Sequence, residues 1–243
     1  MSINALSCVQ SILNKKKAVA PLTQVVLSSD INPMPYNPSA YFSAQSAIVR
    51  NSANNQITAC SCTITNQTGN YTFANGVYSF LCSSTTAGSP GGSLVDAFCG
   101  TNLYNVWLSP LNYNASGIYT GTVSTVTSGT TVTGEWQQIK LPYTLYITTY
   151  SVNSNAVGGG GAWNQMWTKS FYFCGSNDGT TWTTIDNRSG LTCATNGFNS
   201  FTAPTQTVGY TYFRLIGQQI GAYSGQGYKM GICLGLQGIY KIV

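Results

Sequence analysis

After residue 55 no stretch of this chain keeps a helical hydrophobic period for more than three turns, so most of it has to fold as strands. Ser, Thr and Asn account for 77 of the 243 residues, beside 26 Gly and 16 Tyr, and that is the material of strands and turns. Hydrophobic residues make up 43% and charged residues only 6%. This balance excludes a disordered polar chain and leaves enough apolar side chain for a core. Runs at 57–64, 76–82, 135–143, 146–152, 170–174, 181–186, 210–217 and 230–243 are the strand candidates. Between two of them, Ser176-Asn177-Asp178-Gly179 predicts a hairpin turn, because Asp-Gly supplies the positive φ such turns require. The glycine run at 158–161 reads as a connector, since no Lys-Ser/Thr follows it as a phosphate cradle needs.

The residue types that are missing restrict the chemistry. There is no His, which removes the usual proton shuttle at neutral pH and excludes Ser-His-Asp and Cys-His catalysis. The only side-chain carboxylates are Asp30, Asp96, Glu135, Asp178 and Asp186. A two-carboxylate glycosidase would need Asp178 and Asp186 to converge. Structural zinc is not expected without His or paired Cys-x-x-Cys spacings, and no cofactor is expected. The eight cysteines (8, 60, 62, 82, 99, 174, 193 and 233) read as small buried thiols. Asn66, Asn70, Asn114 and Asn187 open glycosylation sequons, which count only on the secretory route. No export signal is evident at the start, and no apolar run reaches the roughly 18 residues of a membrane span. A net charge of +5 is too thinly spread for nucleic acid to be the main ligand.

Residues 1–55 differ from the rest. Four of the eight prolines, Pro21, Pro33, Pro35 and Pro38, fall here, after a short amphipathic stretch at 3–13 and the run Lys15, Lys16, Lys17. We read this segment as an arm with a short helix and an extended stretch, outside a body at 56–243. An isolated helix of that length is marginal in water. Its apolar side chains, with Ile3 and Leu6 foremost, and the three lysines are therefore the expected assembly contacts.

Within the body, strand alternation at 135–142 puts Trp136, Gln138 and Lys140 on one face and Gln137, Ile139 and Leu141 on the other. One face of this strand must accept polar groups. Trp182 reads as a core residue. Arg214 sits among aromatic and aliphatic neighbours and needs a partner, for which Glu135 and Asp186 are the candidates.

The order of several motifs resembles a known family. Ala97-Phe98-Cys99-Gly100 followed by Trp107, then Gly134-Glu135-Trp136-Gln137-Gln138-Ile139-Lys140-Leu141-Pro142, then Tyr150-Ser151-Val152 resemble the discoidin, or coagulation-factor type C, galactose-binding-like domain. Trp167, the segment from Gly175 to Trp182, Tyr212-Phe213-Arg214-Leu215 and Leu236-Gln237-Gly238 follow in that family's order. The texture is also similar to discoidin-like domains in structural proteins of large DNA viruses of algae. The resemblance implies an all-β, jelly-roll-like sandwich with ligands meeting the loops at one end. Relatives that bind sugars often carry calcium beside an Ala-Phe-Asp-Gly segment. Cys99 stands at that Asp position and 232–240 holds no acid, so no metal site is expected.

The resemblance and the composition together predict a non-enzymatic virion structural protein, a minor or decorating capsid component whose partners are other capsid proteins. The alternative is a carbohydrate-binding attachment module. Tyr113, Tyr119, Trp163, Asn164 and Trp167 are its candidate ligand contacts, because sugar stacking needs aromatic faces next to polar groups.

Overall fold

The computed structural model describes residues 49–50, 57–59, 69–73, 76–84, 107–153, 166–192, 198–221 and 228–241. The arm contacts Ile3, Leu6, Lys15, Lys16 and Lys17, the glycine run at 158–161, and Trp163 and Asn164 lie outside the described residues. The described elements are all strands: β1 (Val49–Arg50), β2 (Ile57–Ala59), β3 (Gly69–Phe73), β4 (Gly76–Cys82), β5 (Trp107–Leu108), β6 (Ser124–Thr127), β7 (Thr130–Thr133), β8 (Glu135–Asn153), β9 (Thr168–Ser176), β10 (Thr183–Arg188), β11 (Phe198–Thr202), β12 (Tyr210–Ile220) and β13 (Gly231–Lys241). The expected all-β class is what the chain adopts.

β8 organises the architecture. Its first part, through Lys140, pairs antiparallel with β12 on one side and β4 on the other. Its second part, from Thr144 onward, pairs with β13 and β11. The larger layer therefore runs β10-β9-β12-β8-β4-β3 and the smaller one β11-β8-β13-β5. Between them β8 bulges. Tyr210 and Tyr212 of β12 lie opposite Leu145 and Lys140, so residues 141–144 of β8 fall out of register. Pro142 is in that bulge and exposed; it has no N–H for a ladder and is placed where none is needed. Such a bulge bends the strand and lets one chain segment serve two layers. The expectation of two separate strands at 135–143 and 146–152 becomes one bent strand.

The two layers close over one core. Ile139 and Leu141 of β8, Phe171 and Phe173 of β9, and Phe213 and Leu215 of β12 meet Tyr150 and Val152 of β8 with Leu234 and Leu236 of β13. Tyr150 from the smaller layer stacks on Phe173 from the larger, with ring centroids 4.4 Å apart. Buried aromatic polar atoms have partners, as burial demands. Trp167 Nε1 donates to the Val152 carbonyl at 2.9 Å, and the Tyr150 hydroxyl donates to Asp186 at 2.8 Å. Asp186 is also salt-bridged to Arg188. Burial, and then the Asp186 bond, push the Tyr150 phenol far above its ordinary range.

The Asp-Gly turn forms where expected, as the connection from β9 to β10. Gly179 has φ +75°. Asp178 Oδ1 accepts the backbone N–H groups of Thr180 and Thr181 at 2.8 and 2.7 Å, and these hold its carboxyl well below the usual range.

Candidate functional site

Among the described residues two places concentrate polar chemistry. The first is the outer face of the larger layer. Alternation along β8 turns Trp136, Gln138 and Lys140 outward, and register places Ile216, Arg214 and Tyr212 of β12 beside them. Tyr172, Cys174 and Ser176 of β9 continue the same rows. On the other side, Leu81 and Ser79 of β4 lie opposite Gln138 and Lys140.

Part of this face is covered by the β6–β7 hairpin. Its two-residue turn has Ser128 at φ +47° and Gly129 at φ +78°, the pair of positive φ values of a type I′ turn. Thr127 bonds the Thr184 hydroxyl at 3.0 Å, and Ser128 N donates to the Trp182 carbonyl. Val132 comes down on Cys174, Trp182 and Ile216 to make a second, smaller core. Trp182 is therefore buried as expected, but on the outside of the layer instead of between the layers.

Arg214 lies at the centre. Its guanidinium sits 3.9 Å from the Trp136 ring centroid and 4.1 Å from that of Trp182. Nε and Nη2 donate to Gln138 Oε1 at 3.1 and 2.7 Å, and Nη1 donates to Thr125 Oγ1 at 2.8 Å. The carboxylate partner expected for it, Glu135 or Asp186, is not there: both point toward the inner face of the layer. Planar stacking and a neutral amide take the place of a counter-ion. Burial lowers the Arg214 pKa to about 10. Next to it, exposed Lys140 places Nζ 5.2 Å from the centroid of half-buried Tyr212.

The second place is a buried carboxylate at one end of the sandwich. Glu135, fully buried, receives hydrogen bonds from the Ser83 and Ser84 hydroxyls on Oε2. Asn112 Nδ2 and the Tyr119 hydroxyl donate to Oε1 at 2.6 and 3.3 Å. It has no cationic partner among the described residues. The network joins the end of β4, the loop at 109–123 and the start of β8, so it fixes loop geometry with neutral donors. Gln137, two residues along the same face, is fully buried with neither amide atom hydrogen-bonded.

Three of the five expected ligand contacts take part in packing. Tyr113 and Tyr119 are buried against each other, centroids 5.4 Å apart, with the Tyr113 hydroxyl donating to the Gly217 carbonyl at 2.8 Å. Trp167 is 1% exposed. None of these three rings offers a free face, because the core needs their area more than a loop does. Asp178 and Asp186 share no partner: one closes its own turn and the other serves Tyr150 and Arg188. Sequence reasoning missed the grouping of Trp136, Arg214 and Trp182. The outward alternation of Trp136 and Gln138 pointed to it, but only the strand register brings the other two alongside.

No family model and no curated protein matches the chain. Among solved structures it is similar to the family 32 carbohydrate-binding module of Clostridium perfringens NanJ in complex with galactose, at 11% identity and TM-score 0.42, over 65% of this chain and 92% of that one. It is similar also to the family 32 carbohydrate-binding module of Streptococcus pneumoniae EndoD, at 12% identity and TM-score 0.43, over 65% and 95%. A third is chitosan-binding module 1 from a Paenibacillus chitosanase/glucanase, at 19% identity and TM-score 0.43, over 65% and 93%.

Proposed function

We propose that this protein is a non-catalytic carbohydrate-binding module whose ligand lies on the outer face of the larger layer. One observation carries the reading: half-buried Trp136 and Tyr212 stand on that face beside Gln138, Arg214 and Lys140, all held by strand register. Sugar rings pack their C–H faces on aromatic side chains, and their hydroxyls need planar, fixed donors and acceptors nearby. Strands hold such groups more rigidly than loops do. The non-catalytic part is supported by the acids. Among the described residues Glu135, Asp178 and Asp186 are each engaged in a separate structural network, and no two of them are paired to flank a scissile bond. The narrower setting, a virion surface, is proposed on the motif resemblance and is tested by whether the chain copurifies with native particles.

The test of the main reading is a glycan array probed with the full chain, followed by Trp136→Ala with its melting temperature recorded. Binding to at least one glycan class, lost in a variant that still unfolds cooperatively, is the expected result. An array with no binding, or a folded Trp136→Ala that binds as well as the parent, overturns it.

A further inference from the structure

Resting on that reading, we infer that the ligand of the outer face is an anionic glycan, held through a carboxylate or sulfate substituent by Arg214 and Lys140. Arg214 has five N–H donors and spends three of them on Gln138 and Thr125. One N–H is left on each terminal nitrogen, and two guanidinium N–H groups can together hold a carboxylate or sulfate. Both faces of the group are already stacked on indoles, so it is held still before any ligand arrives and only its edge is available. Preorganisation of this kind lowers the ordering cost of binding.

Charge complementarity identifies the occupant. Lys140 is exposed, one alternation along β8 from Gln138, and it makes no ion pair among the described residues; the salt bridge there is Arg188 to Asp186. No described acid faces either cation. Glu135 is on the inner side of the layer with Ser83, Ser84, Asn112 and Tyr119. Asp186 is turned inward to Tyr150, and Asp178 is closed into its own loop. A half-buried, desolvated cation with no anion beside it gains most from a ligand that brings one. A neutral sugar would leave that charge uncompensated.

The experiment immobilises polygalacturonate, dextran sulfate and neutral dextran and measures binding of the full chain at low and high salt. We expect binding to polygalacturonate, dextran sulfate or both, none to dextran, and weakening as salt screens the contact. Which of the two charged polymers is retained separates carboxylate from sulfate. Lys140→Glu should weaken binding by about tenfold or more. Lys229→Glu, with the same net charge, should leave it unchanged. Arg214→Lys keeps the charge but loses the fork and should also bind more weakly; if it fails to fold, the exposed Lys140 variant decides. Equal binding to dextran, or binding of neutral glycans alone on the array, overturns the anionic ligand and leaves the carbohydrate reading standing. Equal loss in Lys229→Glu overturns the local site in favour of bulk charge. No binding to any polymer or array glycan overturns both.

Discussion

Replacing Glu135 separates the two terms that a buried carboxylate brings to a fold. Its desolvation is a cost of several kcal/mol, and four neutral donors offset it. In Glu135→Ala, Ser83 can turn its hydroxyl wholly to the Trp136 carbonyl, which it already reaches at 3.2 Å. Ser84, Asn112 and Tyr119 are left with donors aimed at nothing. At about 1–1.5 kcal/mol for each orphaned donor, the loss is about 3–4.5 kcal/mol. For a chain of this size that is about 6–18 °C in melting temperature. Glu135→Gln keeps an acceptor for Asn112 and Tyr119, and both serine hydroxyls can rotate to accept from its new amide. Charge-assisted bonds become neutral ones of roughly half the strength, so we expect a loss of about 1–2 kcal/mol. Calorimetric unfolding of the two variants reads the ordering, and hydrogen exchange should quicken in the loop at 109–123 for the alanine variant. If Glu135→Ala is as stable as the parent, the network does not offset the desolvation. If Ala and Gln lose equally, shape matters and the hydrogen bonds do not.

Other changes follow from the same structure. Gln137 is buried with both amide atoms unpartnered, so Gln137→Met, close to it in shape, should raise stability by about 1–3 kcal/mol; a lower melting temperature would contradict this. Burial pushes the Cys82 and Cys174 thiols up to about 11 from 9.0, and the phenols of Tyr113, Tyr119 and Tyr150 upward as well. These groups favour the fold while protonated: the cysteine contribution is complete below pH 9 and is lost as pH rises through about 11, and the tyrosine contribution begins to be lost only above pH 10. Arg214, pushed down, works the other way from about pH 10. The net expectation is a falling melting temperature above pH 9 and a shallower fall in Cys174→Ala; a flat profile to pH 11 would count against it. In the β6–β7 turn, Gly129→Ala puts a side chain at φ +78° and should cost about 1 kcal/mol, read as a drop in melting temperature with the fold unchanged.

The parts of the fold carried by local pattern could be read in advance. Alternation at 135–142 assigned both faces of β8 correctly, since the period of two is a property of the strand itself. The turn before Trp182 was marked by Asp178-Gly179 for a similar reason. The β6–β7 hairpin also had a signal, Ser128-Gly129 between Thr- and Val-rich runs, but a sequence this rich in Thr and Ser hides short strands among its loops. What was not legible depends on register. Nothing local to Arg214 says that Gln138 and not a carboxylate will lie opposite, or that Trp182 will fold over it. Tyr113, Tyr119 and Trp167 look from their loop-like surroundings like ligand contacts, yet large rings near strand ends are drawn into whatever core is being closed. The virion setting came from the resemblance and the composition, and it has no counterpart among the described residues.

That β8 belongs to both layers has a consequence for how the molecule comes apart. In most two-layer proteins a layer can in principle fray while its neighbour persists, because the two are joined by loops. Here the hydrogen-bond ladders of β12 and β4 and those of β13 and β11 end on the same nineteen-residue strand. Pulling β8 out of either ladder loosens the other. The described strands of the two layers are therefore expected to unfold together, with neither layer kept as a stable fragment on its own. Variation is left to the loops at the two ends of the sandwich and to the outer face, where side chains can change without touching the strand that both layers share.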